Sequence, residues 1–270
     1  MKRLLTNRII LTLSSLSALL GLAFLGWILV TIFIKGIGSS HLSLFVNDLI
    51  DGGLRNLIVG QFILAGIASA VGIPIGMVAG IYIREYSQDR YSSFIRNLSD
   101  VMMSAPSIVV GAFVYAVVVV PTGHTSGFAG VVALCIMMIP IVINTTDSML
   151  SLVPKELREA GIALGASKYK VIFDIVIRSA KVGIMTGILL AFARIIGETA
   201  PLLFTSQTSN YFSLDLTHSF PSLTVSIYNL ANDVETSSRD LAWAASFILT
   251  VLVLFINLTG RYITRNKKFR

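Results

Sequence analysis

Apolar residues run along this chain in blocks of bilayer length. Six blocks stand out, approximately 9–34, 57–83, 101–120, 127–147, 182–204 and 241–262. A helical crossing takes about 20 such residues, and in hydrocarbon only a helix or a closed barrel satisfies every backbone group. The pattern predicts an all-α, polytopic membrane protein with six transmembrane helices. Pro140, Asn144 and Thr145 interrupt the end of the fourth block. Pro74 and Pro201 stand inside the second and fifth, where each can break or kink its helix. Gly72, Gly76 and Gly80 recur every fourth residue, as do Gly183 and Gly187. That spacing lets helix backbones approach closely and predicts packing seams.

Composition agrees. Only 13% of the 270 residues are charged, where a soluble domain carries about 25%. No polar block is long enough to fold separately, so a single transmembrane domain over 1–270 is expected. The N-terminus starts like a signal peptide, with Lys2, Arg3 and Arg8 ahead of an apolar run. That run far exceeds the ~7–15 residues of a signal core, and it reads as a retained first span.

The net charge of +7 is distributed as a membrane protein distributes it. Of 21 Lys and Arg, five lie in the last ten residues and three in the first eight. With the N-terminus in the cytoplasm, 17 fall on the inner side and only Lys35, Arg55 and Arg239 outside. The positive-inside rule then puts both termini in the cytoplasm of a multi-pass cell-membrane protein, with lipid around it and no nucleic acid as partner. Cys135 is the single cysteine and lies in an apolar block, so it reads as a small buried hydrophobe. His41, His124 and His218 lie in separate polar stretches without a Cys or His at metal-ligand spacing; they read as loop residues, and no metal is expected. No internal repeat, phosphate-binding P-loop, Ser–His–Asp set or H-E-x-x-H pattern occurs, so no catalytic set and no cofactor are read from the chain itself.

The polar segment 148–181 reads as two short helices around a turn. Pro154 suits a first helical turn, Gly165 a C-terminal stop and Ser167 the next cap. Leu157, Ala160, Gly161 and Leu164 recur at helical spacing and form a narrow face of small and apolar side chains. Such a face fits a groove on a partner or lies on lipid headgroups.

Ionisable residues inside apolar blocks face an interior or a water-lined path. In "ARIIGETAPLL", residues 193–203, Arg194 and Glu198 are one helical turn apart and within reach of each other. From the block's start near 182, Arg194 falls near the bilayer midplane. One reading is a structural ion pair that pins two helices. The other is a gate for an oxyanion, in which Glu198 competes for the guanidinium and keeps anion binding weak enough for release.

Two sets of residues carry a resemblance. Glu159-Ala160-Gly161, three residues, Gly165, nine residues and Ile175 resemble the E-A-A-x-x-x-G-x9-I-x-L-P loop of bacterial ABC importer permeases, with Gly161 for the second Ala and Ile177-Arg178 for Leu-Pro. "GIMTGILLAFARIIGETAPLLFT" at 183–205, "PSIVVGAFVY" at 106–115 and "IPIVINTTDSML" at 139–150 resemble the PstA-type phosphate permease family, which often has Arg where this chain has Asn144. The resemblance implies the fold of a type I importer permease, with Glu159, Ala160, Gly161 and Gly165 coupling to an ATPase. It also implies a translocation path at Arg194, Glu198, Thr199 and Asn144. The partners it implies are a PstC-type second permease, an ATP-binding subunit expected as a dimer, and an extracytoplasmic phosphate-binding protein. Rival readings are a permease for sulfate, molybdate or phosphonate, and an ion-coupled carrier that uses Glu198 as its proton site.

Overall fold

The computed structural model describes residues 2–86 and 90–266, and the described residues contain helices and no strand. Lys267, Lys268 and Arg270, counted above on the inner side, lie outside the described residues. The helices are α1 Lys2–Gly38, α2 Arg55–Tyr86, α3 Arg90–Ser104, α4 Ser107–Thr122, α5 Gly127–Ser151, α6 Lys155–Ala163, α7 Lys168–Ile196, α8 Ala200–Thr205, α9 Leu223–Ala231 and α10 Thr236–Asn266.

Five of them, α1, α2, α5, α7 and α10, are each long and apolar enough to cross a bilayer. The third expected span is not one helix. Residues 101–104 finish α3, and α4 leaves at 104° to it, so the pair makes a sixth crossing only as a bent unit. Pro106 causes the break, because it lacks an N–H and drives Ala105 out of the helical region. The fourth span, by contrast, continues unbroken past Pro140 to Ser151. The fifth differs at both ends from the expected 182–204. It starts at Lys168, so the second short helix of the 148–181 segment is simply its first turns, and it stops at Ile196. The short helix α9 has no counterpart in the sequence pattern.

Both glycine seams are used. Gly72, Gly76 and Gly80 of α2 lie on Met138, Val142 and Thr146 of α5, in the same order along both helices. A methyl group on Gly76 would sit 2.7 Å from Val142 Cβ, so only glycine allows this approach. Gly183 and Gly187 of α7 meet Met149 and Thr145, in reversed order. Helix α5 therefore runs parallel to α2 and antiparallel to α7, at the centre of the bundle. Leu64 and Ala68, Leu134 and Met138, Ala191 and Ile195 close the core between the three. Helix α1 attaches near its C-terminal end, with Phe33 edge-on to Phe247 at 5.1 Å and Lys35 4.7 Å over Trp243. Its apolar side chains from Ile9 to Ile28 stand exposed, a surface suited to hydrocarbon.

One end of the bundle is closed by a strap, residues 206–222. Its carbonyls at His218 and Leu216 accept the first N–H groups of α5, those of Gly127 and Phe128, both at 2.9 Å. Ser126 caps the same helix by accepting from Ala129 N–H at 3.2 Å. The donors left open at a helix start are thereby used, and the strap is fixed to α5. The opposite end carries α6.

Candidate functional site

Helix α7 ends two residues after Arg194, and the chain turns through Gly197, Glu198 and Thr199 before α8 starts with Pro201 in its first turn. A cation in the last turn suits the negative end of the helix dipole. Glu198 thus lies in the break and not on the same helix. Arg194 Nε is 3.6 Å from Glu198 Oε1, an ion contact too long for a hydrogen bond, with the side chains 56% and 16% exposed. Arg194 borders the α3–α4 bend. There it lines a cavity of about 20 Å³ with Met103, Ala105, Met137 and Ile141, room for roughly one water molecule. Helix α7 starts at Lys168, ahead of the apolar block, so Arg194 stands near the far end of the helix itself.

Thr199 sits at the N-cap of α8, where its hydroxyl makes no capping bond and its carbonyl accepts from Leu202 and Leu203 N–H, both at 3.1 Å. Asn144 is on α5. Its Nδ2 donates to Asp100 Oδ1 at 3.2 Å and contacts Met103 Sδ at 2.8 Å. Arg194, Glu198 and Thr199 are therefore together at the break, while Asn144 touches Met103, which lines the small cavity beside Arg194. Beside Asn144, Arg96 of α3 pairs with Asp147 at 3.0 Å. Sequence reading passes over Arg96, Asp100 and Asp147 because they sit at the polar edges of apolar blocks, where charge is ordinary.

The break is braced by residues that sequence reading also misses. Gln61 of α2 donates Nε2 to Ile196 O at 2.8 Å, and the Thr224 hydroxyl donates to Glu198 O at 2.9 Å. A glutamine inside an apolar block is the available signal.

At the other end, Gly165 terminates α6 with φ +80°, and Ser167 Oγ accepts from Lys170 N–H at 3.5 Å, as expected. The face of Leu157, Ala160, Gly161 and Leu164 is divided. Gly161 is buried on Val171 and Ile175, where a methyl would lie 2.8 Å from Ile175 Cδ1, whereas Glu159, Ala160 and Leu164 are exposed. Gly161 and Ile175, at opposite ends of the loop motif, are in contact. Arg158, inconspicuous in the sequence, holds α6 in place. It donates Nη2 to Glu85 at 2.7 Å and to Leu150 O at 2.9 Å, and Nη1 to Val153 O at 2.6 Å.

His124 and His218, distant in sequence, stack with centroids 5.6 Å apart. His218 Nδ1 lies 3.2 Å from Asp215, and the Thr217 N–H and hydroxyl, with His218, hold the Asp215 carboxyl below the usual range. Among the described residues no group of three His, Cys, Asp or Glu is placed to hold a metal. Cys135 is half-buried against the core, as expected of a small hydrophobe.

A helical membrane chain with a charged break in one span and a short helix fixed across one end has the build of a transport permease. Residues 72–268 match the family of binding-protein-dependent transport system inner membrane components. The chain is 44% identical to a phosphate transport system permease protein PstA of Haemophilus influenzae, over 97% of this chain and 95% of that one. It is 45% identical to one of Yersinia pestis, over 97% and 91%. A probable PstA of Methanocaldococcus jannaschii is 32% identical over 98% and 95%. Among solved structures, a bacterial alginate ABC transporter chain has a TM-score of 0.71 at 14% identity, covering 97% of this chain and 95% of its own. The MetNI methionine ABC transporter, in an inward-facing form, gives 0.61 at 16%, covering 83% and 96%. These two likenesses establish the fold. The chain belongs to the binding-protein-dependent inner membrane components, in their PstA branch.

Proposed function

We propose that this chain is one of two permease subunits of an ATP-driven importer of inorganic phosphate, a single permease domain that supplies half of the path. The observation that carries the reading is the half-exposed Arg194 guanidinium at a helix break, with Glu198 near it but beyond hydrogen-bond distance. A cation held this way exchanges a carboxylate for phosphate oxygens. Glu198 competes with the anion for the guanidinium, which keeps binding weak enough to permit release. Thr199 supplies a hydroxyl beside the cation. Asn144 offers a neutral amide further along, where the resembled family often has a second cation. The relatives named as phosphate permeases support the substrate.

In this reading both termini and α6 are cytoplasmic and the strap faces outward, following the basic residues. Glu159 and Ala160 meet an ATP-binding subunit, present as a dimer, while Gly161 and Gly165 shape the helix behind them. A PstC-type permease completes the path, and an extracytoplasmic phosphate-binding protein delivers the anion; ATP is hydrolysed by the partner and not by this chain. The test is uptake of labelled phosphate by the purified complex in liposomes. Uptake should require ATP, resist ionophores and outlast excess sulfate or molybdate. Sulfate competing as well as phosphate, or uptake driven by an ion gradient without ATP, overturns the reading.

A further inference from the structure

Helix α2 carries two buried amide side chains in its first half, Asn56 and Gln61. Amides are costly in an apolar interior unless their donors and acceptors are used. Gln61 uses both ends on different elements. Its Nε2 donates to the carbonyl of Ile196, the last residue of α7, at 2.8 Å. Its Oε1 accepts from Leu223 N–H at 3.1 Å and from the Ser222 hydroxyl at 3.0 Å, at the junction of the strap with α9. Thr224, two residues on from Ser222, donates its hydroxyl to Glu198 O at 2.9 Å. The Ile196 carbonyl, left open where α7 ends, and the Glu198 carbonyl within the break are thus both held from outside α7.

The first turns of α2 also hold the strap. Asn56 donates to Ser209 O at 3.1 Å and accepts from Leu49 N–H at 3.0 Å. Gly60 lies against Pro221 so closely that any side chain would collide. Hydrogen bonds therefore lead from the strap at Ser222 through Gln61 to the Ile196 carbonyl, and Thr224, two residues further along the same chain, reaches the Glu198 carbonyl.

We propose that Gln61 and Thr224 are positioning residues of the transport site, fixing the break that carries Arg194 and Glu198 and linking its geometry to the strap. A displacement of the strap then changes the spacing of the two charges. Neither residue touches the anion. An amide and a hydroxyl that served the fold alone would be satisfied by any buried partners, whereas here the Gln61 amide donates to one open carbonyl of the break and the Thr224 hydroxyl to the other.

The proposal rests on the phosphate-importer reading, and the test separates the two. The assembled complex in liposomes is compared as wild type, Arg194→Gln, Gln61→Leu, Thr224→Val and Thr224→Ser. Basal ATPase, and ATPase stimulated by phosphate with its binding protein, are measured per assembled complex. Gln61→Leu should lower the stimulated rate about tenfold, equivalent to about 1.4 kcal/mol, with basal hydrolysis retained. Thr224→Val should shift it the same way, and Thr224→Ser, which keeps the hydroxyl, should restore it. A purely structural role would instead reduce yield and scale both rates together. If Gln61→Leu does not assemble, the Val and Ser variants at Thr224 decide. A wild-type ratio of stimulated to basal rate in Thr224→Val, or equal loss in Thr224→Ser, overturns the proposal, while a wild type that phosphate stimulates and an Arg194→Gln complex that it does not still uphold the importer reading. A wild-type complex that phosphate does not stimulate overturns the importer reading, and this role falls with it.

Discussion

Arg194 and Glu198 stand 3.6 Å apart with the arginine more than half exposed, a geometry in which neither holds the other firmly. A buried pair that loses one partner costs about 3–5 kcal/mol and an exposed pair contributes about 0–1 kcal/mol; with Glu198 16% exposed but its arginine open to solvent and 3.6 Å away, this pair lies nearer the second. We therefore expect Arg194→Gln to leave the complex assembled and to abolish phosphate uptake, read by yield and labelled-phosphate transport. The double variant Arg194→Gln/Glu198→Gln should assemble equally well and remain inactive, because no cation meets the anion. Transport by the double variant would reduce the pair to a structural one. Charges in apolar blocks are conspicuous in a sequence, so these two residues were legible. Gln61 was not, since its significance depends on partners 135 and 162 residues away. Thr224 was hidden for a different reason. Helical hydroxyls commonly bond their own preceding turn, as Ser69 does to Ala65 O at 2.6 Å, and nothing in sequence marks the exception.

At the level of elements, apolar length located the crossings but not their ends. The block at 101–120 is apolar straight through the bend at Ala105-Pro106, so the 104° turn left no mark in hydropathy. The first turns of α7 were hidden for the opposite reason: Lys168, Lys170, Arg178 and Lys181 are polar, yet they continue one helix. The turn at Gly165 was legible because its chemistry is local. Its φ of +80° disfavours any side chain, although open space surrounds the position that a Cβ would take. Gly165→Val should destabilise α6 by about 1–2 kcal/mol through the backbone alone. Membrane insertion should persist while phosphate-stimulated ATPase falls; an unchanged rate would remove α6 from coupling. Arg158→Ala should do more, because it strands Glu85 at 7% exposure and takes the donor from the Val153 carbonyl, while Leu150 O keeps the Val153 N–H at 3.3 Å. A loss of about 3–5 kcal/mol is expected, read as a lowered Tm of the complex. Adding Glu85→Gln removes the stranded charge and should recover part of it. Equal Tm for the single and double variants would mean that Arg158 acts through the carbonyls and not through Glu85.

For the whole molecule, helix direction constrains topology independently of charge. Gly72, Gly76 and Gly80 meet Met138, Val142 and Thr146 in the same order, so α2 and α5 run parallel. Parallel neighbours require one return crossing between them, and only the bent pair α3–α4 lies in that interval. With the proposed six crossings the total is even and the termini share a side, which the basic residues assign to the cytoplasm. Four exposed positions test each step by labelling with an impermeant thiol reagent, on a Cys135→Ala background. Val234→Cys, 91% exposed beside the strap, and His124→Cys, after α4, should react from outside. Leu164→Cys, 89% exposed at the end of α6, and Tyr91→Cys, 71% exposed in α3, should react only after the membrane is opened. The reverse pattern at all four would invert the orientation and leave the crossings intact. If Tyr91→Cys and His124→Cys label from the same side, α3–α4 is re-entrant, the parallel seam has no return crossing, and the six-span architecture fails.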